Sequence, residues 1–104
     1  MIDSVELAKK TLIDNRKSGY TLPTNNKLYP AQWNWDSAFI ALGYSNFNLD
    51  YSFKELETLI SGQWDDGMIP HILFHIKDLN YTPNYKAWNC GKKVSSSGIT
   101  QPPI

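Results

Sequence analysis

The sequence is poor in cysteine: Cys90 stands alone in 104 residues, so no disulfide can form within the chain. It has no excess of either charge. Ten Lys plus Arg face ten Asp plus Glu, which removes the basic footprint of a surface for nucleic acid or an anionic membrane. Long hydrophobic runs are missing too. The longest, Ala38-Phe39-Ile40-Ala41-Leu42, is about five residues, against the roughly twenty that cross a bilayer. Residues Met1 to Lys10 mix both charge signs and lack the basic-then-apolar order of a secretory signal. These absences lead to the expectation of a soluble protein in a reducing cytoplasm, with neither nucleic acid nor a membrane as partner. In such a compartment the triplet Asn80-Tyr81-Thr82 is a chance match to a glycosylation acceptor. The length allows one ordinary domain at most.

Aromatics are what the chain has instead: four Trp, six Tyr and four Phe. They are densest in Tyr29-Pro30-Ala31-Gln32-Trp33-Asn34-Trp35-Asp36-Ser37, directly before the apolar run. Asp36 or Ser37 in that place can cap a helix, accepting hydrogen bonds from free backbone N–H groups at its positive end. The flanking residues point further. An indole is a large apolar face with a single donor, and two of them beside Gln32 and Asn34 are more than core filling requires. A pyranose ring has apolar C–H faces and a rim of hydroxyls, so stacked aromatics supply shape while Asp, Gln and Asn orient the hydroxyls. Trp33 and Trp35 each retain the alternative of simply filling an interior.

Along the chain, Asp3 or Ser4 caps an expected helix to about Ser18, stopped by Gly19; Ile2, Val5, Ala8, Leu12 and Ile13 share one side. Residues 20–29 have no period and form a loop. A short helix follows Asp36 to Gly43 or Tyr44, apolar all round and therefore expected to be buried on every side. Asp50 caps a further helix to Ser61, with Phe53, Leu56, Leu59 and Ile60 as the inward stripe and Lys54, Glu55 and Glu57 on the opposite face. An inner apolar helix followed by an outer amphipathic one suits a two-layer helical array. Asp65-Asp66-Gly67 makes a tight turn before Ile72-Leu73-Phe74, which reads as a strand or a helical turn. From Lys77 onward Tyr81, Tyr85 and Trp88 sit in loop-like surroundings that suit lids or binding surfaces. The last residues carry no polar tail after Gln101-Pro102-Pro103, and the chain is expected to continue.

Three blocks in order, Tyr29 to Phe39, Gln63-Trp64-Asp65-Asp66-Gly67-Met68-Ile69-Pro70-His71-Ile72 and Ser97-Gly98-Ile99-Thr100-Gln101-Pro102-Pro103, resemble the amino-terminal part of the mannosylglycerate and glucosylglycerate hydrolases. These belong to glycoside hydrolase family 63 and are more distantly similar to trehalases. The resemblance implies an all-α fold, part of an (α/α)6 toroid of which this chain supplies three or four helices and long aromatic-rich loops. It implies an inverting glycosidase for small α-glycosides, whose general acid and base lie beyond the Gln101-Pro102-Pro103 block. No catalytic residue is therefore assigned in this chain, and Asp65 and Asp66 are read as a turn. Carried over by position, the resemblance makes Tyr29, Trp33, Trp35 and Asp36 the lining of a glycosyl subsite, Gln101 a substrate hydrogen-bonding group and Tyr81 part of a mobile loop closing over the ligand. Trp64 and His71 are read as structural, pinning the turn against the neighbouring helix, with His71 near enough to approach the site.

Twelve helices of roughly 10–14 residues joined by loops of about 4–6 need on the order of 200 residues, so this chain cannot close a toroid alone. Its expected partners are a small carbohydrate and the remainder of the catalytic domain. The alternatives are a free-standing carbohydrate-binding or regulatory module and an unproductive product of a disrupted gene. No metal or other cofactor is expected: His71 and His75 stand four apart, yet a closed zinc site needs four ligands at characteristic spacing. Cys90 lacks an identifiable activating partner for nucleophilic work.

Overall fold

The computed structural model of the protein describes residues 3–24 and 28–101. Ile2 of the first expected helical face, Asn25 and Asn26 of the expected loop, and Pro102 and Pro103 of the third block lie outside them. Helix α1 covers Ser4–Asp14 and opens on Asp3, whose Oδ1 accepts from the Val5 N–H at 3.0 Å. It ends sooner than the expected stop at Gly19. The Lys17 N–H is taken by the Tyr20 carbonyl at 2.6 Å, which diverts the backbone from the helical ladder into a tight reversal. Gly19, at φ +85°, shapes that reversal rather than ending the helix.

Strand β1, Gln32–Trp33, runs straight into helix α2, Asn34–Tyr44. It pairs antiparallel with strand β2, Ile72–Leu73, placing Gln32 opposite Leu73 and Trp33 opposite Ile72. The pairing settles where the helix starts: extended Trp33 is the capping residue, and the Asn34 N–H, which has no partner within the helix, donates to the His71 carbonyl at 2.9 Å. Asp36 thus lies within the first turn and is not the cap. The expectation that α2 is buried on every side is also corrected. Ser37, Ala41 and Tyr44 are buried, while Trp35, Phe39 and Leu42 are 49%, 65% and 64% exposed, because α1 and α3 cover only one side of it.

Helix α3, Leu49–Ile60, is capped by Asn48, whose Oδ1 accepts from the Tyr51 N–H at 3.1 Å, with Asp50 inside the first turn. Its orientation differs in part from the expected one: Leu59 is buried and Lys54 and Glu57 are exposed as expected, but Glu55 points inward and Phe53, Leu56 and Ile60 point outward. Ser52, Glu55 and Leu59 face the protein, and Phe53 and Ile60 are 60% and 53% exposed. Polar groups that find partners drive this choice: Ser52 Oγ donates to the Ala41 carbonyl at 2.6 Å, and Glu55 receives hydrogen bonds from Ser37 and Thr21. Small side chains at the seam let α2 and α3 approach, and hydrogen bonding removes the cost of burying them.

Beyond α3 the Asp65-Asp66-Gly67 turn forms as expected, with the Gly67 N–H on the Trp64 carbonyl and the Trp64 N–H on the Met68 carbonyl. Residues 95–99 then return along β2: the backbone N–H groups of Phe74, Ser97 and His71 donate to the carbonyls of Ser95, Ile72 and Ile99. Helix α4, Tyr85–Trp88, is a single turn held by Asn84. Tyr81, Tyr85 and Trp88 pack on a buried cluster of Ala31, Trp33, Ile72 and Phe74. The described residues are thus four helices and one two-residue strand pair, with the aromatic loops folded onto that pair.

Candidate functional site

The β1–α2 junction positions three of the expected site residues. Trp33 ends the strand, Trp35 and Asp36 occupy the first helical turn, and the chain before them brings Tyr29 alongside. Tyr29, Trp33, Trp35 and Asp36 line one open concavity of about 310 Å³, together with Pro23 and Gln101. Residues far apart in the sequence meet there. The wall is aromatic, with Tyr29 standing edge-on to Trp33 at a centroid distance of 5.3 Å and 78° between planes. Trp33 is only 8% exposed, so most of its indole serves the interior and one edge faces the concavity; Trp35 is the half-exposed ring.

Burial among these rings raises the Asp36 carboxyl above its ordinary value, offset in part by its own backbone N–H. The site therefore presents an acceptor group beside flat apolar surface, the combination that suits a ring with hydroxyls on its rim. Tyr81 does not line the concavity. It packs against two of the lining rings, 5.3 Å from Trp33 and 6.3 Å from Tyr29 between ring centroids, and burial raises its phenol.

Other singled-out residues are engaged elsewhere. Trp64 Nε1 donates to Ser96 Oγ at 3.2 Å, and His71 Nδ1 lies 2.6 Å from Ser97 Oγ, so both pin the turn to the returning 95–99 segment rather than to a helix. His75 Nε2 lies 2.8 Å from Gln32 Oε1, and burial lowers the pKa of both histidines. The two imidazoles thus have separate partners. The Cys90 thiol donates to the Trp88 carbonyl at 3.1 Å.

Two contributors escaped the sequence reading. Pro23 sits in a stretch without period, and nothing local marks it as part of the wall. Glu55 looked like a solvent residue. Its spacing from Ser52 and Leu59, three before and four after, was the available signal, since those positions share a helix face.

Residues 29–104 match the family described as the mannosylglycerate hydrolase MGH1-like glycoside hydrolase domain. The chain belongs to this family. A mannosylglycerate hydrolase of Selaginella moellendorffii is 44% identical over 97% of the chain, which spans 21% of that protein. A glucosylglycerate hydrolase of Mycolicibacterium hassiacum is 42% identical over 74% of the chain, spanning 19% of its length. Among solved structures, the family 63 mannosylglycerate hydrolase of Thermus thermophilus, in complex with Tris and D-glycerate, is 42% identical with a TM-score of 0.87 over 96% of the chain and 24% of its own. The chain thus spans between about a fifth and a quarter of the family members it matches. Its fold is that of a portion of the six-hairpin glycosidases. No helix among the described residues is long and apolar enough to cross a membrane.

Proposed function

We propose that this chain supplies the glycosyl-binding wall of a hydrolase acting on a small α-glycoside of glycerate, mannosylglycerate or glucosylglycerate. One observation carries the reading: five side chains drawn from two separated segments, Tyr29, Trp33, Trp35 and Asp36 from one and Gln101 from the other, converge on a single concavity. Trp35 would stack on the sugar face, Asp36 and Gln101 would take its hydroxyls, and Tyr81 would brace the wall through Trp33 and Tyr29. The reaction is inversion, in which an acid protonates the glycosidic oxygen while a carboxylate base activates water on the opposite face. Such groups stand roughly 6.5–9.5 Å apart, leaving room for the water. The remainder of the domain provides both. It also covers the exposed apolar faces of α2 and α3.

The test joins this chain in frame to the rest of the Thermus thermophilus enzyme in place of the matching segment. The joined domain should bind and hydrolyse mannosylglycerate or glucosylglycerate, and Asp36→Ala should abolish binding in calorimetry. A folded joined domain that ignores both glycosides would overturn the proposal. Sugar binding by the 104-residue chain alone would instead favour a free-standing binding module.

A further inference from the structure

The wall has a second layer made of polar side chains. Gln32, Ser37 and Glu55 are 0%, 0% and 1% exposed, and they are bonded to one another. Gln32 Nε2 donates to Ser37 Oγ at 3.0 Å and to the Glu55 carbonyl at 3.2 Å, while Ser37 Oγ donates to Glu55 Oε1 at 2.8 Å. Thr21 adds its N–H to the same Oε1 at 3.2 Å. With both amide protons committed, the Gln32 oxygen accepts from His75, which fixes that imidazole with its proton on Nε2. Thr21 Oγ1 extends the network to Tyr44, whose hydroxyl gives its one proton to the Leu12 carbonyl.

Gln32 and Ser37 bracket the segment that carries Trp33, Trp35 and Asp36. Neither faces the concavity. Both ends of that segment are tied through buried side chains to one residue of α3. Burying an acidic residue and two neutral polar groups is expensive unless each finds partners, and a partly satisfied network is worse than an apolar seam. Plain packing of α2 on α3 would be served better by aliphatic residues. The polar solution adds direction: hydrogen bonds fix the rotation of α2 about its axis, which sets where Trp35 and Asp36 point.

We propose that Glu55 is a positioning residue for the sugar-contacting wall, holding the path of residues 32–37 through Ser37 and Gln32 without touching the ligand. The proposal rests on the glycosyl-binding reading above. Burial raises the Glu55 carboxyl, opposed by hydrogen bonds from Ser37 and Thr21 and by the Arg16 guanidinium, and a carboxamide can reproduce the Oε1 acceptor. Glu55→Gln therefore keeps the side-chain link to Ser37, whereas Glu55→Leu deletes it at similar volume and leaves only the bond from Gln32 to the backbone carbonyl of residue 55.

Both variants are made in the joined domain and compared with it by mannosylglycerate and glucosylglycerate titration at a temperature where circular dichroism shows each fully folded. Glu55→Gln should bind within about twofold of the parent, and Glu55→Leu about tenfold more weakly, the loss appearing in KM as well as in Kd. A folded Glu55→Leu protein with parental affinity would make the residue structural and overturn the proposal. Should Glu55→Leu fail to fold, Ser37→Ala cuts the same link with a smaller change. It should weaken binding several-fold, and parental affinity there overturns the proposal equally. A parent domain that binds neither glycoside ends the glycosyl-binding reading and this inference with it. Binding by the parent with no difference among the variants ends this inference alone.

Discussion

Tyr81 meets the indole of Trp33 edge to face, with ring centroids 5.3 Å apart and planes at 86°. Because Trp33 lines the concavity, Tyr81 bears on the wall through that ring. Such aromatic pairs contribute about 0.5–1.5 kcal/mol beyond the area they bury. In the joined domain Tyr81→Phe should therefore hold stability and sugar affinity near those of the parent. Tyr81→Ala should lower the urea midpoint and weaken the sugar. Equal affinity for all three proteins would leave Tyr81 a packing residue with no bearing on the site.

Glu55 gives the domain a stability that depends on pH in a definite direction. Its folded carboxyl is raised chiefly by burial, so the folded form keeps a proton that the unfolded chain has already lost. Stability is full below the ordinary carboxyl value and is lost as pH rises through the raised one. Glu55→Gln removes this dependence. The difference in urea-unfolding free energy between parent and variant should shift in favour of the variant on going from acid to neutral pH. The lowered histidines are common to both proteins and cancel. A pH-independent difference would contradict the burial of Glu55.

Trp35, Phe39 and Leu42 form one open stripe on α2, and Leu49, Phe53, Leu56 and Ile60 form another on α3. That much apolar surface exceeds what a monomer carries comfortably. The isolated 104-residue chain is expected to elute from size exclusion as aggregates and to unfold without a cooperative transition. In the joined domain, where the remainder covers α2, Phe39→Ala should cost about 3–5 kcal/mol, as for a core phenylalanine. A cost of about 0.5 kcal/mol, typical of a surface site, would show that nothing covers it.

Gly62 abuts β2. A Cβ built there would collide with the side chain of Leu73, which is fully buried. Relief would require moving a strand residue that pairs with Gln32. Gly62→Ala should therefore destabilise the joined domain by about 1–3 kcal/mol in urea titration. An unchanged midpoint would mean that β2 yields without resistance.

What could be read from residues alone was whatever local chemistry decides. The first helix is capped by Asp3 and the turn at Asp66-Gly67 forms; that Gln101 joins the aromatic run around one hollow was indicated only by the family resemblance. Features set by contacts between distant residues were not legible. The start of α2 depends on Trp33 pairing with Ile72, far along the chain, and this moved Asp36 off the cap. Hydrophobic periodicity in α3 pointed Phe53 and Ile60 inward. Within these described residues the helix instead turns Glu55 toward Ser37, because hydrogen-bond partners exist there and apolar neighbours for Phe53 do not.

The junction of β1 and α2 puts Trp33, Trp35 and Asp36 on regular backbone, while Tyr29 and Gln101 come from irregular segments. Half of the proposed sugar site is thus already in shape, and binding there orders little of the protein. Divergence in preference between one sugar and another should then accumulate in the irregular half, where insertions and exchanges leave the helical frame undisturbed.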